Sequence, residues 1–175
     1  MDILKELYAE GMSIYPHSQC HAYNKIYKCE EDYFDDLAQC KDEINDSLNF
    51  KISSNFVRMP GGSRNRVGDH NVVSNIKTGL KEKGISYIDW NVSSGDATSV
   101  QVSSANILNN IILDGNKYKI AVVLMHDTYG KESTTESLQD IINYYKSEGY
   151  TFKTLEEMTD SEYKYLVKCG VINAS

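Results

Sequence analysis

Two histidines four residues apart, in Pro16-His17-Ser18-Gln19-Cys20-His21, are the first groups in this chain whose type and spacing suggest chemistry. Imidazoles at i and i+4 project from the same side of a helical turn, where they can grip one metal ion. Cys20 lies between them and could ligate as a thiolate. Three ligands on one turn rarely converge on one ion, so His17 and His21 are the expected metal pair, with Ser18 as a loop brace. Three further clusters follow in order: Arg58-Met59-Pro60-Gly61-Gly62, then Asp89-Trp90 with Asp96, then Leu124-Met125-His126-Asp127. Each falls near the end of a predicted strand. A histidine closing such a strand is well placed for proton transfer near neutral pH.

The elements that must carry these groups alternate along the chain. Residues 1–10 read as a helix stopped by Gly11, and residues 12–15 as a short strand feeding the histidine loop. Phe34, Leu37, Ile44 and Leu48 form one stripe of a helix over 31–48. A strand over 55–58, a helix over 71–83 closed by Gly84, a strand over 85–92 and a helix over 104–113 come next. Residues 118–125, apolar apart from Lys119, fit a strand buried on both faces. Ser133 and Glu136 suggest a capping box opening the next helix, which Gly149 closes before a strand over 150–154. A short helix over 161–169 ends at Gly170. The βα alternation implies a parallel sheet with helices outside it, and a barrel or partial barrel. Chemistry in such folds gathers at the carboxyl ends of strands, where all the candidate clusters lie.

The 175 residues suffice for one domain with a real core, expected to span 1–175. Eighteen basic against twenty-five acidic residues leave a net charge of −7, which argues against nucleic acid or an anionic membrane as partner. No apolar run approaches membrane-spanning length, and residues 1–7 lack the basic leader and apolar core of a signal peptide. Cys20, Cys29, Cys40 and Cys169 form no Cys-x-x-Cys pair, so reduced thiols are expected. Thirteen tyrosines suit a surface that stacks on sugar rings, and equally a tyrosine-rich core.

In that order the clusters resemble the polysaccharide deacetylases of the NodB-homology type, carbohydrate esterase family four. His17, Ser18 and His21 match the family's His-Ser/Thr-x-x-His motif; Arg58, Pro60 and Gly62 match Arg-x-Pro-x-Gly; Leu124 and His126 match Leu-x-His. The resemblance implies a partial (β/α) barrel and a hydrolase removing N-acetyl groups from an N-acetylglucosamine-containing polysaccharide, peptidoglycan or chitin-like. It implies a divalent cofactor on His17 and His21, zinc first, with cobalt or nickel as substitutes. Arg58 would orient the catalytic base, and the Gly61 N–H would face the oxyanion. Asp96 would hold His126, the general acid, with Asp89 competing for that place because spacing alone does not separate them. Pro60, Gly61, Gly62, Trp90 and Leu124 would line the substrate, although Trp90 also suits a core. Glycine at 61 replaces the usual aromatic and removes one wall of the sugar site, and Ala97 replaces the usual tryptophan. His70 fits no motif and is expected on the solvent side of a helix start.

One family feature is missing. No Asp-Asp-Gly occurs in the sequence, and that motif supplies the base and a third metal ligand. The expectation is therefore a barrel lacking its first strand, incomplete at the N-terminus, with metal weakly held and turnover impaired. Its exposed edge would invite self-association. A non-catalytic remnant that binds glycan is the alternative. The family typically works outside the cell or at its wall.

Overall fold

The computed structural model describes residues 3–52 and 55–174. These gather into two compact units, one formed by the residues up to Asp89 together with those from Thr154 onward, the other by Trp90–Lys153.

In the first unit, α1 (Ile3–Ala9), α2 (Tyr23–Ile26) and α3 (Glu30–Leu48) precede β1 (Phe56–Val57), α4 (His70–Glu82) and β2 (Ser86–Tyr87), and α7 (Asp160–Lys168) closes the chain. Strands β1 and β2 pair in parallel, Phe56 with Ser86 and Val57 with Tyr87, as a β–α–β connection through α4 requires. An antiparallel bridge joins Ile88 to Ile172. The stripe expected on α3 buries Leu37 and Leu48 and leaves Phe34 and Ile44 half-buried, and Val73, Ile76 and Leu80 of α4 share a core with Leu37, Val57, Met59 and Tyr87. Gly79 lets α4 lie close to α3. A Cβ there would come within 2.8 Å of the Phe34 ring and 2.5 Å of Glu30 Oε1.

In the second unit, β3 (Val92–Ser93), α5 (Ser104–Asp114), β4 (Val123–Leu124) and α6 (Glu132–Ser147) repeat the pattern. Val92 pairs with Val123 and Ser93 with Leu124, again in parallel. Val92, Ile107, Ile111, Ile141 and Tyr145 form the unit's own core. Each core contains one buried tyrosine hydroxyl, of Tyr33 and of Tyr145, with no hydrogen-bond partner among the described residues.

The expected helices match within a residue or two, α2 was not anticipated, and the Met1 and Asp2 end of the first lies outside the described residues. The strands are shorter. Of residues 118–125 only β4 pairs, and its residues are half-buried rather than buried on both faces. Residues 12–15 and 150–154 form no ladder, and 85–92 divides into β2 and the start of β3. The capping box also lies elsewhere. Helix α6 starts after Lys131 without a side-chain cap, whereas Thr159 and Glu162 form the reciprocal pair at α7. The described strands form two two-stranded parallel ladders and no closed barrel. All four cysteines are free thiols, as expected. No helix among the described residues is long and apolar enough to cross a membrane.

Candidate active site

The histidine pair sits in a loop rather than on the helical turn its spacing suggests. Residues 12–18 run irregularly after α1, and His21 adopts φ 48°, a left-handed conformation uncommon for a side-chain-bearing residue. The rings still meet, with centroids 5.1 Å apart. His17 Nδ1 donates to the Arg58 carbonyl at 2.6 Å, which fixes the tautomer and leaves Nε2 with the lone pair a metal needs. From α3, Asp36 accepts the Ser18 hydroxyl at 2.6 Å and the Gln19 and Cys20 N–H groups at 2.9 and 3.0 Å. Ser18 Oγ in turn accepts the His21 N–H at 2.9 Å. Burial pushes the Asp36 carboxyl up, but the donors on Ser18, Cys20 and Gln19 outweigh it and hold the carboxyl below its ordinary range. Two imidazoles, one oriented by a carbonyl, fit two positions of a divalent ion. No group of three or more His, Cys, Asp or Glu among the described residues adds a third.

Arg58 leaves β1 half-buried, its Nε 3.3 Å from the Ile88 carbonyl and Nη2 3.4 Å from the Asp89 carbonyl. Burial lowers its pKa from the ordinary value, and the Asp89 charge opposes that shift. Beyond Arg58 the chain turns sharply. Gly61 and Gly62 take φ 76° and 80°, which glycine enters without the Cβ penalty. The Gly62 N–H closes the turn on the Met59 carbonyl at 2.8 Å, and Tyr27 OH holds the Pro60 carbonyl at 2.7 Å. The exposed Gly61 N–H donates to no partner among the described residues. Asp89 secures the far end of the turn, accepting the Ser63 N–H at 2.8 Å and the Ser63 hydroxyl at 2.6 Å.

In the second unit, β3 leads into Ser94-Gly95-Asp96. Gly95 at φ 70° turns the chain, and a Cβ there would lie 2.5 Å from Asn110 Nδ2, which donates to the Ser94 carbonyl. The turn delivers Asp96, 2% exposed, to the end of β4. There His126 Nδ1 donates to Asp96 Oδ1 at 2.8 Å, and the His126 N–H donates to Oδ2 at 2.7 Å. Thr134 Oγ1 adds a bond at 3.1 Å, and Lys131 Nζ reaches the Asp96 carbonyl at 2.7 Å. Burial would raise the Asp96 pKa, but the bonds from His126 and Ser94 win and lower it, so the buried carboxylate is ionised. The His126 side chain is 38% exposed, and its Nε2 has no partner among the described residues. An imidazole so oriented can donate or accept a proton at Nε2 while the buried carboxylate stabilises its cation.

The structure thus brings together His17 with His21, Arg58 with His17 and Asp89, and Asp96 with His126. It separates the two competing aspartates: Asp96 serves His126, and Asp89 serves the glycine turn. Trp90 and Leu124 are half-buried, Pro60 and Gly62 buried, and His70 is exposed at the start of α4. Sequence reasoning missed Asp36, Ser63, Lys131 and Thr134. None sits on a periodic apolar stripe or in a motif. No sequence signal marks them: Ser63 and Thr134 are buried, Asp36 and Lys131 half-buried, and all four act through partners brought close only by the fold.

No family model matches the chain. It is 26% identical over 160 residues to a peptidoglycan-N-acetylglucosamine deacetylase of Bacillus cereus, covering 89% of this chain and 55% of that protein. The chain spans about half the length of the curated relatives it matches. Among solved structures, the catalytic domain of a peptidoglycan N-acetylglucosamine deacetylase from Eubacterium rectale superposes with a TM-score of 0.81 at 32% identity, over 91% of this chain and 71% of that one. A family-four pseudoenzyme from Bacillus anthracis superposes at 0.67 with 23% identity, over 88% of this chain and 48% of that one, a likeness of fold alone.

Proposed function

Because the chain belongs to the polysaccharide deacetylases of carbohydrate esterase family four, the NodB-homology group with its partial-barrel α/β fold, we propose that it works as one deacetylase-like domain. Its substrate would be an N-acetylglucosamine-containing polysaccharide, peptidoglycan before chitin-like polymers because the relatives act on peptidoglycan. The observation that carries the reading is the buried Asp96 carboxylate holding His126 by Nδ1, with Nε2 left to react.

Hydrolysis of an acetamide needs water to attack the carbonyl, a donor for the oxyanion and a proton for the departing amine. His126 supplies that proton from Nε2 as the C–N bond breaks, giving acetate and a free amine, and ionised Asp96 stabilises the imidazolium beforehand. By the family resemblance the Gly61 N–H, without a partner among the described residues, would be the donor for the oxyanion, and glycine allows close approach. Arg58 supports the histidine loop through its carbonyl. His17 and His21 would hold the divalent ion, zinc first and cobalt or nickel as alternatives. That ion, when bound, supplies Lewis-acid polarisation of the carbonyl and of water.

With no Asp-Asp-Gly in these 175 residues, turnover is expected to be impaired, since general-base help is worth about 10²–10⁴ in rate. The same absence favours a second reading, a domain that binds glycan without cleaving it. Acetate release from N-acetylglucosamine oligomers, with and without zinc, separates the two. Slow zinc-dependent release that falls about 10²-fold in His126→Ala supports the first reading. Equal release by His126→Ala overturns the acid assignment, and glycan binding without any release supports the second.

A further inference from the structure

We propose that Asp36 is a positioning residue for the histidine pair: from α3 it holds the His17–His21 loop in the shape that lets both imidazoles reach one divalent ion. The inference rests on the metal-dependent reading above. Its basis is the pattern of bonds. All three residues between the histidines are tied to one carboxylate, Ser18 through its hydroxyl at 2.6 Å and Gln19 and Cys20 through backbone N–H groups at 2.9 and 3.0 Å. The next N–H, that of His21, goes to the same Ser18 oxygen at 2.9 Å. His17 is fixed from the other side by the Arg58 carbonyl.

The loop has no regular structure to keep this shape. Residues 19–20 form a bend, and His21 stands at φ 48°. A chain released from Asp36 would relax that backbone and let the ring separation drift, so the ion would have to order the loop as it bound. Helix α3 is a firm base for the carboxylate, because Tyr33 and Leu37 on either side of Asp36 are buried in the unit's core. Asparagine cannot replace it. Its amide NH₂ would face at least one of the three donors that now meet oxygen.

Zinc titration by calorimetry into the full chain tests this, beside Asp36→Asn, Ser18→Ala and Asp35→Asn. Asp35 is the exposed neighbour on α3, so its variant removes the same charge without touching the loop. Asp36→Asn is expected to bind zinc about 10–100-fold more weakly, the range for partners that orient metal ligands, with Asp35→Asn close to wild type. Amide exchange at Gln19, Cys20 and His21 should quicken in Asp36→Asn before any metal is added. If that variant fails to fold, Ser18→Ala carries the test, because it cuts the His21 N–H from Asp36 while leaving α3 intact. It should weaken zinc several-fold and quicken exchange at His21. Wild-type binding that both variants match overturns the role of Asp36 and leaves the metal reading standing. Equal weakening by Asp35→Asn assigns the effect to charge and also overturns it. No zinc binding by the wild type overturns both readings.

Discussion

Asp89 and Asp96 are seven positions apart and chemically identical, yet their surroundings give them different work. Each is a buried carboxylate whose oxygens are committed to named donors: Ser63 in one case, His126 and Thr134 in the other. Truncating either should leave buried donors unpaired and destabilise the protein by about 3 kcal/mol. Urea denaturation of Asp89→Ala and Asp96→Ala checks this, with a loss under about 1 kcal/mol counting against it. Functionally they should part. Asp96→Asn should slow any acetate release by disturbing the His126 tautomer, whereas Ser63→Ala should act through the glycine turn and leave that imidazole as it was. Which aspartate met the histidine was not legible from spacing. It depends on Gly95 turning the chain between them, and a left-handed glycine announces a turn without saying where the turn points. The histidine pair was legible as a pair but not as a loop, because i,i+4 spacing describes a helix and the loop is built instead by a carboxylate fifteen positions away.

Helices were the readable elements, since a 3.6-residue apolar period survives in the sequence whatever packs against it. The strands that form were legible in place but not in length, because an apolar run reports burial and a ladder requires a partner of matching length. Residues 120–125 are apolar throughout, but β3 offers only Val92 and Ser93 to pair with. The close approach of α3 and α4 was equally hidden, since it depends on the absence of a side chain at Gly79. Alanine there would gain helix propensity of about 1 kcal/mol on an open surface. Against the Phe34 ring it should instead overpack, destabilising by about 1–3 kcal/mol in urea denaturation. At α7, Thr159→Ala should remove the capping box and cost about 1 kcal/mol by the same measurement.

At the scale of the whole molecule, acid and alkali should each find a set of groups that folding has displaced. Asp36, Asp96 and Glu156 all lie below the ordinary carboxylate range, because although burial raises each, the hydrogen bonds it accepts outweigh that. A depressed folded value means stability that is present above the unfolded value near 4 and lost as pH falls through the folded one. The melting temperature should therefore hold through neutral pH and drop below about pH 4, and a flat profile to pH 2 would contradict these bonds. The tyrosine-lined cores act at the other extreme. Burial raises Tyr27 and Tyr33 and pushes Tyr145 up to about 12, so their contribution is intact below the unfolded value near 10 and is lost as pH rises beyond it. Ionising these phenols inside the core is costly, so alkali favours their exposure. The ultraviolet band of phenolate should thus appear in two stages under alkali, a gradual rise from rings already at the surface and then an abrupt one as the cores open. The protein carries its own optical record of when each hydroxyl first meets water.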